Sequence, residues 1–78
     1  MRLISQDKLK DIPYETTALY ISGTPTDVQI VAFADNDAIT IGEYTSEEKA
    51  LKVMSKLRED WKDDLAFFKF PADEEAEV

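Results

Sequence analysis

The side chains most able to do chemistry in this sequence are the closely spaced carboxylates Asp60, Asp63 and Asp64. Such carboxylates can act as general acid and base, or hold a divalent metal that activates water. The chain has no histidine and no cysteine, so nucleophiles that depend on either residue are excluded. No glycine-rich phosphate loop accompanies the carboxylates either. We therefore expect a solvated charge cluster, no enzymatic activity, no catalytic residue, and no metal or other cofactor.

A second group of oxygen ligands, Asp35, Asn36 and Asp37, could suggest a calcium loop. It lacks the alternating ligands, central glycine and distal glutamate of an EF-hand. Asp and Asn side chains bond their own backbone and tolerate positive φ, which is typical of a tight turn. The sequence predicts a turn here.

The net charge of −8 is concentrated at one end of the chain, because residues 59–78 hold eight carboxylates against Lys62 and Lys69. This charge disfavours direct binding to nucleic acid and to anionic membranes, and it suits a basic protein partner. We predict protein binding by the following carboxylates: Glu59, Asp60, Asp63, Asp64, Asp73, Glu74, Glu75 and Glu77. Spaced along a surface, they could imitate a phosphate backbone; the alternative is a solubilising end.

The elements that must position these groups form one small domain. Four runs favour strands, namely Arg2–Ser5, Thr17–Ser22, Asp27–Ala34 and Ile39–Glu43. Short connections between the last three predict an antiparallel meander. The predicted fold is α+β: a small antiparallel sheet with one amphipathic helix packed on it. The domain spans residues 1–71, and an acidic flexible tail, which we expect to be disordered, follows Pro71 at residues 72–78.

The predicted helix begins at Thr45 as N-cap, with Glu48 completing a capping box, and ends near Lys62. Its apolar positions recur at helical spacing, at Ala50, Val53, Met54, Leu57 and Trp61. We therefore expect Trp61 to pack in the core.

One helix cannot cover both faces of the sheet. Because side chains alternate along a strand, Tyr20, Val31 and Phe33 lie on the face away from the helix. Either the N-terminal segment or an extended segment at residues 65–70, which holds Phe67, Phe68 and Phe70, covers this face, or the face is an apolar interface with a second copy or another protein.

No apolar run approaches the roughly 20 residues of a membrane span. The first residues become polar too soon for a signal peptide. Together with the lack of cysteine, this predicts a protein of the cytoplasm.

Four stretches resemble a family of short uncharacterised proteins carried by phages, prophages and mobile elements of Firmicutes. They are MRLISQD at residues 1–7, DIPYE at 11–15, IGEYTSEEKA at 41–50 and FKFP at 68–71. The family pattern has a glycine where this chain has Lys8. The resemblance implies a mobile-element origin and the cytoplasm of a bacterial host, and it supplies no catalytic residues.

These observations predict a non-catalytic interaction protein that binds a host or phage protein. The concrete hypothesis is an acidic inhibitor of a basic, nucleic-acid-handling protein, such as a defence nuclease. The alternative is a structural or scaffolding protein that acts through homo-oligomerisation, with a homodimer formed on the face of Tyr20, Val31 and Phe33.

Overall fold

The computed structural model of the chain describes residues 1–76, which form two three-stranded sheets and two helices. In chain order the elements are β1 (Arg2–Ile4), β2 (Asp11–Pro13), β3 (Ala18–Thr24), β4 (Asp27–Ala34), β5 (Asp37–Tyr44), α1 (Glu47–Lys62), β6 (Phe67–Lys69) and a 3₁₀ helix (Asp73–Glu75). The α+β class is confirmed.

The predicted meander is the larger sheet, with strand order β3-β4-β5 and antiparallel pairing throughout. Asp35 and Asn36 connect β4 to β5, with φ of 52° and 66°. Positive φ at both central residues is the conformation of a type I′ hairpin turn, which matches the twist of the strands. The turn predicted at residues 35–37 is therefore present, and we call this sheet the meander sheet.

The smaller sheet, which we call the terminal sheet, joins the two ends of the chain in the order β2-β1-β6. Its β1 and β6 strands run parallel, with Leu3 opposite Phe68. A parallel pair needs a long crossover connection, and here the meander sheet and α1 provide it. The sequence predicted an extended segment at residues 65–70 but did not predict its partner.

The core lies between α1 and the two sheets. The helix contributes Ala50, Val53 and Leu57 at the predicted spacing. The rings of Phe68 and Phe70 meet edge to face in the same core, with centroids 5.1 Å apart. The two phenylalanines thus pack on the side of the meander sheet that faces α1, and they do not cover its opposite face.

A β-bulge in β5 brings Ile41 into the core. Ile30 pairs with Gly42 and Val31 pairs with Thr40, so Ile41 is the extra residue between them. Its side chain is 2% exposed, and its carbonyl accepts a hydrogen bond of 2.8 Å from the backbone N–H of Gln6. The bulge thereby connects the meander sheet to the segment that follows β1.

Two predictions about the helix are wrong. Ser46, not Thr45, is the N-cap, and its hydroxyl accepts from the backbone N–H of Lys49 at 3.2 Å. Thr45 instead donates its N–H and hydroxyl to Asp73. Trp61 is 51% exposed, because it lies beyond the core and packs edge-on against Tyr14, with ring centroids 5.9 Å apart.

The acidic segment after Pro71 is ordered as far as the structure describes it, which differs from the expected flexible tail. Residues 73–75 form the 3₁₀ helix, and Ala76 is 6% exposed in the core. Asp73 contributes to this order, because its carboxylate lies 3.1 Å from the ammonium of Lys49. Glu77, one of the predicted binding carboxylates, lies outside the described residues.

Candidate protein-binding surfaces

The carboxylates at the end of α1 have fixed backbone positions. Asp63 is the C-cap, and its N–H donates to the carbonyl of Glu59 at 3.0 Å. Asp64 takes a left-handed conformation with φ of 60°, and its N–H bonds the carbonyl of Trp61. The side chains of Glu59, Asp63 and Asp64 are exposed, and none forms an ion pair within residues 1–76. We call these three residues the acidic end.

Asp60 differs from the acidic end because its side chain forms an ion pair. Its carboxylate accepts from the ammonium of Lys56, one turn earlier on α1, at 3.1 Å. The hydrogen bond and the negative charge raise the pKa of Lys56. Asp60 is therefore paired within the chain, and it contributes less to an acidic surface than the sequence predicted.

Asp73 is also committed to internal contacts. Its carboxylate accepts from the N–H of Thr45 at 2.8 Å and from the ammonium of Lys49. These partners lower the pKa of Asp73, the backbone bond from Thr45 most strongly. The exposed acids of this segment are Glu74 and Glu75, and the Glu75 carboxylate also accepts from the N–H of Ala72 at 3.2 Å.

A groove between α1 and the C-terminal segment interrupts the predicted string of carboxylates. Asp60 and Glu75 both line it, so the two acidic segments meet here. Three lysines, Lys52, Lys56 and Lys69, line the same groove over an apolar floor. The lysines separate the carboxylates, and the string is therefore divided into the acidic end and the pair Glu74 and Glu75. The i,i+4 spacing of Lys52 and Lys56 was the only sequence signal for this groove.

The outer face of the meander sheet is open. Tyr20 pairs directly with Val31, and Phe33 stands beside them on the same face. Tyr20 is 45% exposed and Phe33 is 43% exposed. Val31 is 8% exposed but lies outside the core cluster, so its neighbours on the outer face cover it. The structure thus brings all three predicted residues together, and we call them the open face.

Within the described residues, no three carboxylates, histidines or cysteines are grouped so that they could hold a metal ion. Residues 1–76 also contain no helix that is both long and apolar enough to span a membrane.

No family model, no curated protein and no solved structure matches this chain. The resemblance to phage and mobile-element proteins therefore stays a prediction.

Proposed function

We propose that this chain is a non-catalytic interaction protein that binds another protein through the open face of its meander sheet. The observation that supports this best is the exposure of Tyr20 and Phe33, nearly half of each side chain, on neighbouring strands of the meander sheet. Aromatic residues are enriched in protein interfaces, and contiguous exposed apolar surface commonly marks them. The mobile-element resemblance makes a protein of a Firmicutes host or of the phage itself the proposed partner.

Two variants with matched chemistry test this proposal. Phe33→Asp places a charge on the open face, whereas Leu51→Asp places one at an equally exposed apolar position on α1. Each variant and the wild type are immobilised and exposed to a Firmicutes lysate, and the captured proteins are compared by mass spectrometry. We expect Leu51→Asp to retain the wild-type partners and Phe33→Asp to lose them. Capture that is unchanged by Phe33→Asp contradicts the proposal.

A second candidate function is an acidic inhibitor of a basic nucleic-acid-handling protein. The observation that favours it is the acidic end itself. The carboxyl end of a helix carries partial negative charge, so Glu59, Asp63 and Asp64 lie where the helix dipole disfavours them. The helix dipole does not account for acids at this position, and binding a positive groove is a reason for their presence.

The inhibitor candidate is tested by neutralising two acids at a time. Asp63→Asn with Asp64→Asn removes charge from the acidic end, and Asn tolerates the left-handed backbone of Asp64. Asp35→Asn with Asp37→Asn removes the same charge from the β4–β5 turn and is the control. We expect only the first pair to weaken inhibition of plasmid degradation by a Firmicutes lysate, and salt raised from about 50 to 500 mM to weaken wild-type inhibition. Equal loss with both pairs rejects the acidic end as the binding surface.

A further inference from the structure

The outward edge of β3 is an unpaired sheet edge. β3 is the first strand in the order β3-β4-β5, so only one of its edges is bonded, and that edge pairs with β4. In residues 1–76, no backbone group from outside β4 hydrogen-bonds to Ala18–Thr24. A strand in this position presents alternate N–H and C=O groups to its surroundings, which is a template for another strand.

Every other sheet edge in the described chain is protected. Edge strands are commonly blunted by short length, charge, proline or a covering segment. β2 and β6 are each three residues long, and they carry Pro13 and Lys69. The outer edge of β5 carries the charged residues Asp37 and Glu43, and Gln6 covers part of it by bonding the carbonyl of Ile41 and the N–H of Glu43.

β3 has none of these protections. It is seven residues long, and no charged residue occurs in residues 16–26, between Glu15 and Asp27. The neutral stretch stands out in a chain of net charge −8. Two copies of such a chain repel each other wherever their charged surfaces approach, so close self-association requires a surface of this kind. A basic partner has no electrostatic reason to bind here.

We propose that β3 pairs antiparallel with β3 of a second copy, so that the two meander sheets form one six-stranded sheet about a two-fold axis. This isologous contact satisfies the unpaired backbone groups of both copies at once. A two-fold axis perpendicular to the sheet keeps both open faces on the same side, so the apolar residues Tyr20 and Phe33 of the two copies join one surface. The inference deepens the proposed function, because it names the chain's own second copy as a partner at the strand that carries Tyr20.

The expected dimer is weak. Seven residues of strand span about 23 Å, and a contact of this length buries less than the roughly 1,200 Å² of a standard interface. We therefore expect monomer at about 1 µM and substantial dimer at about 100 µM, as for transient complexes of small area. Sedimentation and light scattering over this range measure the dissociation constant directly.

Charge placed on the edge strand tests the proposal. Ser22 is an exposed residue of β3, and Ser55 is an exposed serine on α1 that serves as the control position. Ser22→Lys and Ser22→Glu each place like charges close together across the two-fold axis, so each alone should raise the dimer dissociation constant at least tenfold. An equimolar mixture of the two variants should dimerise as the wild type does, because opposite charges then face each other. Ser55→Lys and Ser55→Glu should dimerise as the wild type does.

Hydrogen exchange provides a second measurement. The outward amides of Ala18–Thr24 should become protected as concentration rises, while those of β5 should not change. A chain that stays monomeric at every concentration, or Ser22 variants that dimerise like the Ser55 variants, overturns the inference. If such a monomer still loses its captured partners with Phe33→Asp, the proposed function stands and the β3 dimer alone is rejected. A dimer broken by Phe33→Asp but not by Ser22→Lys also rejects edge pairing, while it supports the open face.

Discussion

The hydroxyl of Tyr44 connects the meander sheet to the C-terminal segment, and removing it is a direct test of how that segment is held. Tyr44 ends β5 and is 2% exposed. Its hydroxyl donates to the carbonyl of Pro71 at 2.7 Å. The same carbonyl accepts a second bond, of 3.0 Å, from the side-chain amide of Gln6. Three distant parts of the chain therefore meet at one acceptor.

The magnitude follows from what Tyr44→Phe leaves behind. The phenylalanine ring keeps the packing of the core, and the Pro71 carbonyl keeps its bond from Gln6. No buried group is left without a partner, so the loss is that of one net hydrogen bond, about 1 kcal/mol. In the double variant Tyr44→Phe with Gln6→Ala, the Pro71 carbonyl loses both side-chain donors. We expect this double variant to lose more stability than the sum of the single variants.

Urea and thermal unfolding of the wild type, Tyr44→Phe, Gln6→Ala and the double variant measure the effect. A loss of 1 kcal/mol lowers the melting temperature of a domain this small by about 4–8 °C. Tyr14→Phe is the control, because the Tyr14 hydroxyl has no hydrogen-bond partner within residues 1–76 and its ring packs on Trp61. Equal melting temperatures for Tyr44→Phe and Tyr14→Phe would refute the reasoning, as would strict additivity in the double variant.

Three further predictions concern titration and backbone strain. Burial, with the nearby carboxylates of Asp73 and Glu75, raises the pKa of the Tyr44 hydroxyl. The stability that the neutral hydroxyl contributes is complete below the unfolded-state pKa near 10, and it is lost as pH rises through the higher folded-state pKa. Alkaline absorbance should therefore show Tyr44 ionising only as the chain unfolds. Hydrogen bonds from Ser5, Leu9 and Lys10 lower the pKa of Asp7 to about 2. The urea concentration at the unfolding midpoint should therefore decrease as pH is lowered from 4 to 2, and this decrease should be smaller in Asp7→Asn. Lys8 has φ of 65°, and Lys8→Gly should stabilise the chain by up to about 1 kcal/mol in urea titrations, because glycine adopts this conformation without strain.

The parts of the fold that were predictable are those set by neighbours in sequence. The β4–β5 turn follows from Asp35 and Asn36, whose side chains favour the positive φ that the turn requires. The end of α1 at Lys62 follows from the loss of apolar periodicity. By contrast, the pairing of β1 with β6 joins residues from opposite ends of the chain through three-residue strands, and no local preference specifies it.

The candidate surfaces were likewise predictable only where neighbouring residues determine them. The alternation of side chains along β3 and β4 was enough to place Tyr20, Val31 and Phe33 on one face. It could not show that the face stays open, because that depends on where Phe68 and Phe70 pack. Counting acids could not separate Asp73, which is bound to Lys49, from the exposed acids, since the distinction arises only when the C-terminal segment folds against α1.

The charge distribution gives the two proposed surfaces opposite responses to salt. Screening weakens the attraction between the acidic end and a basic partner, so that complex should dissociate as ionic strength rises. The β3 strand itself carries no charged residue, and the opposing force is the general repulsion between two chains of net charge −8. Screening removes that repulsion, so the β3 dimer should become tighter over the same range of salt. A dimer that weakens with salt cannot be formed by the neutral edge, because only an attraction between charged groups is lost on screening.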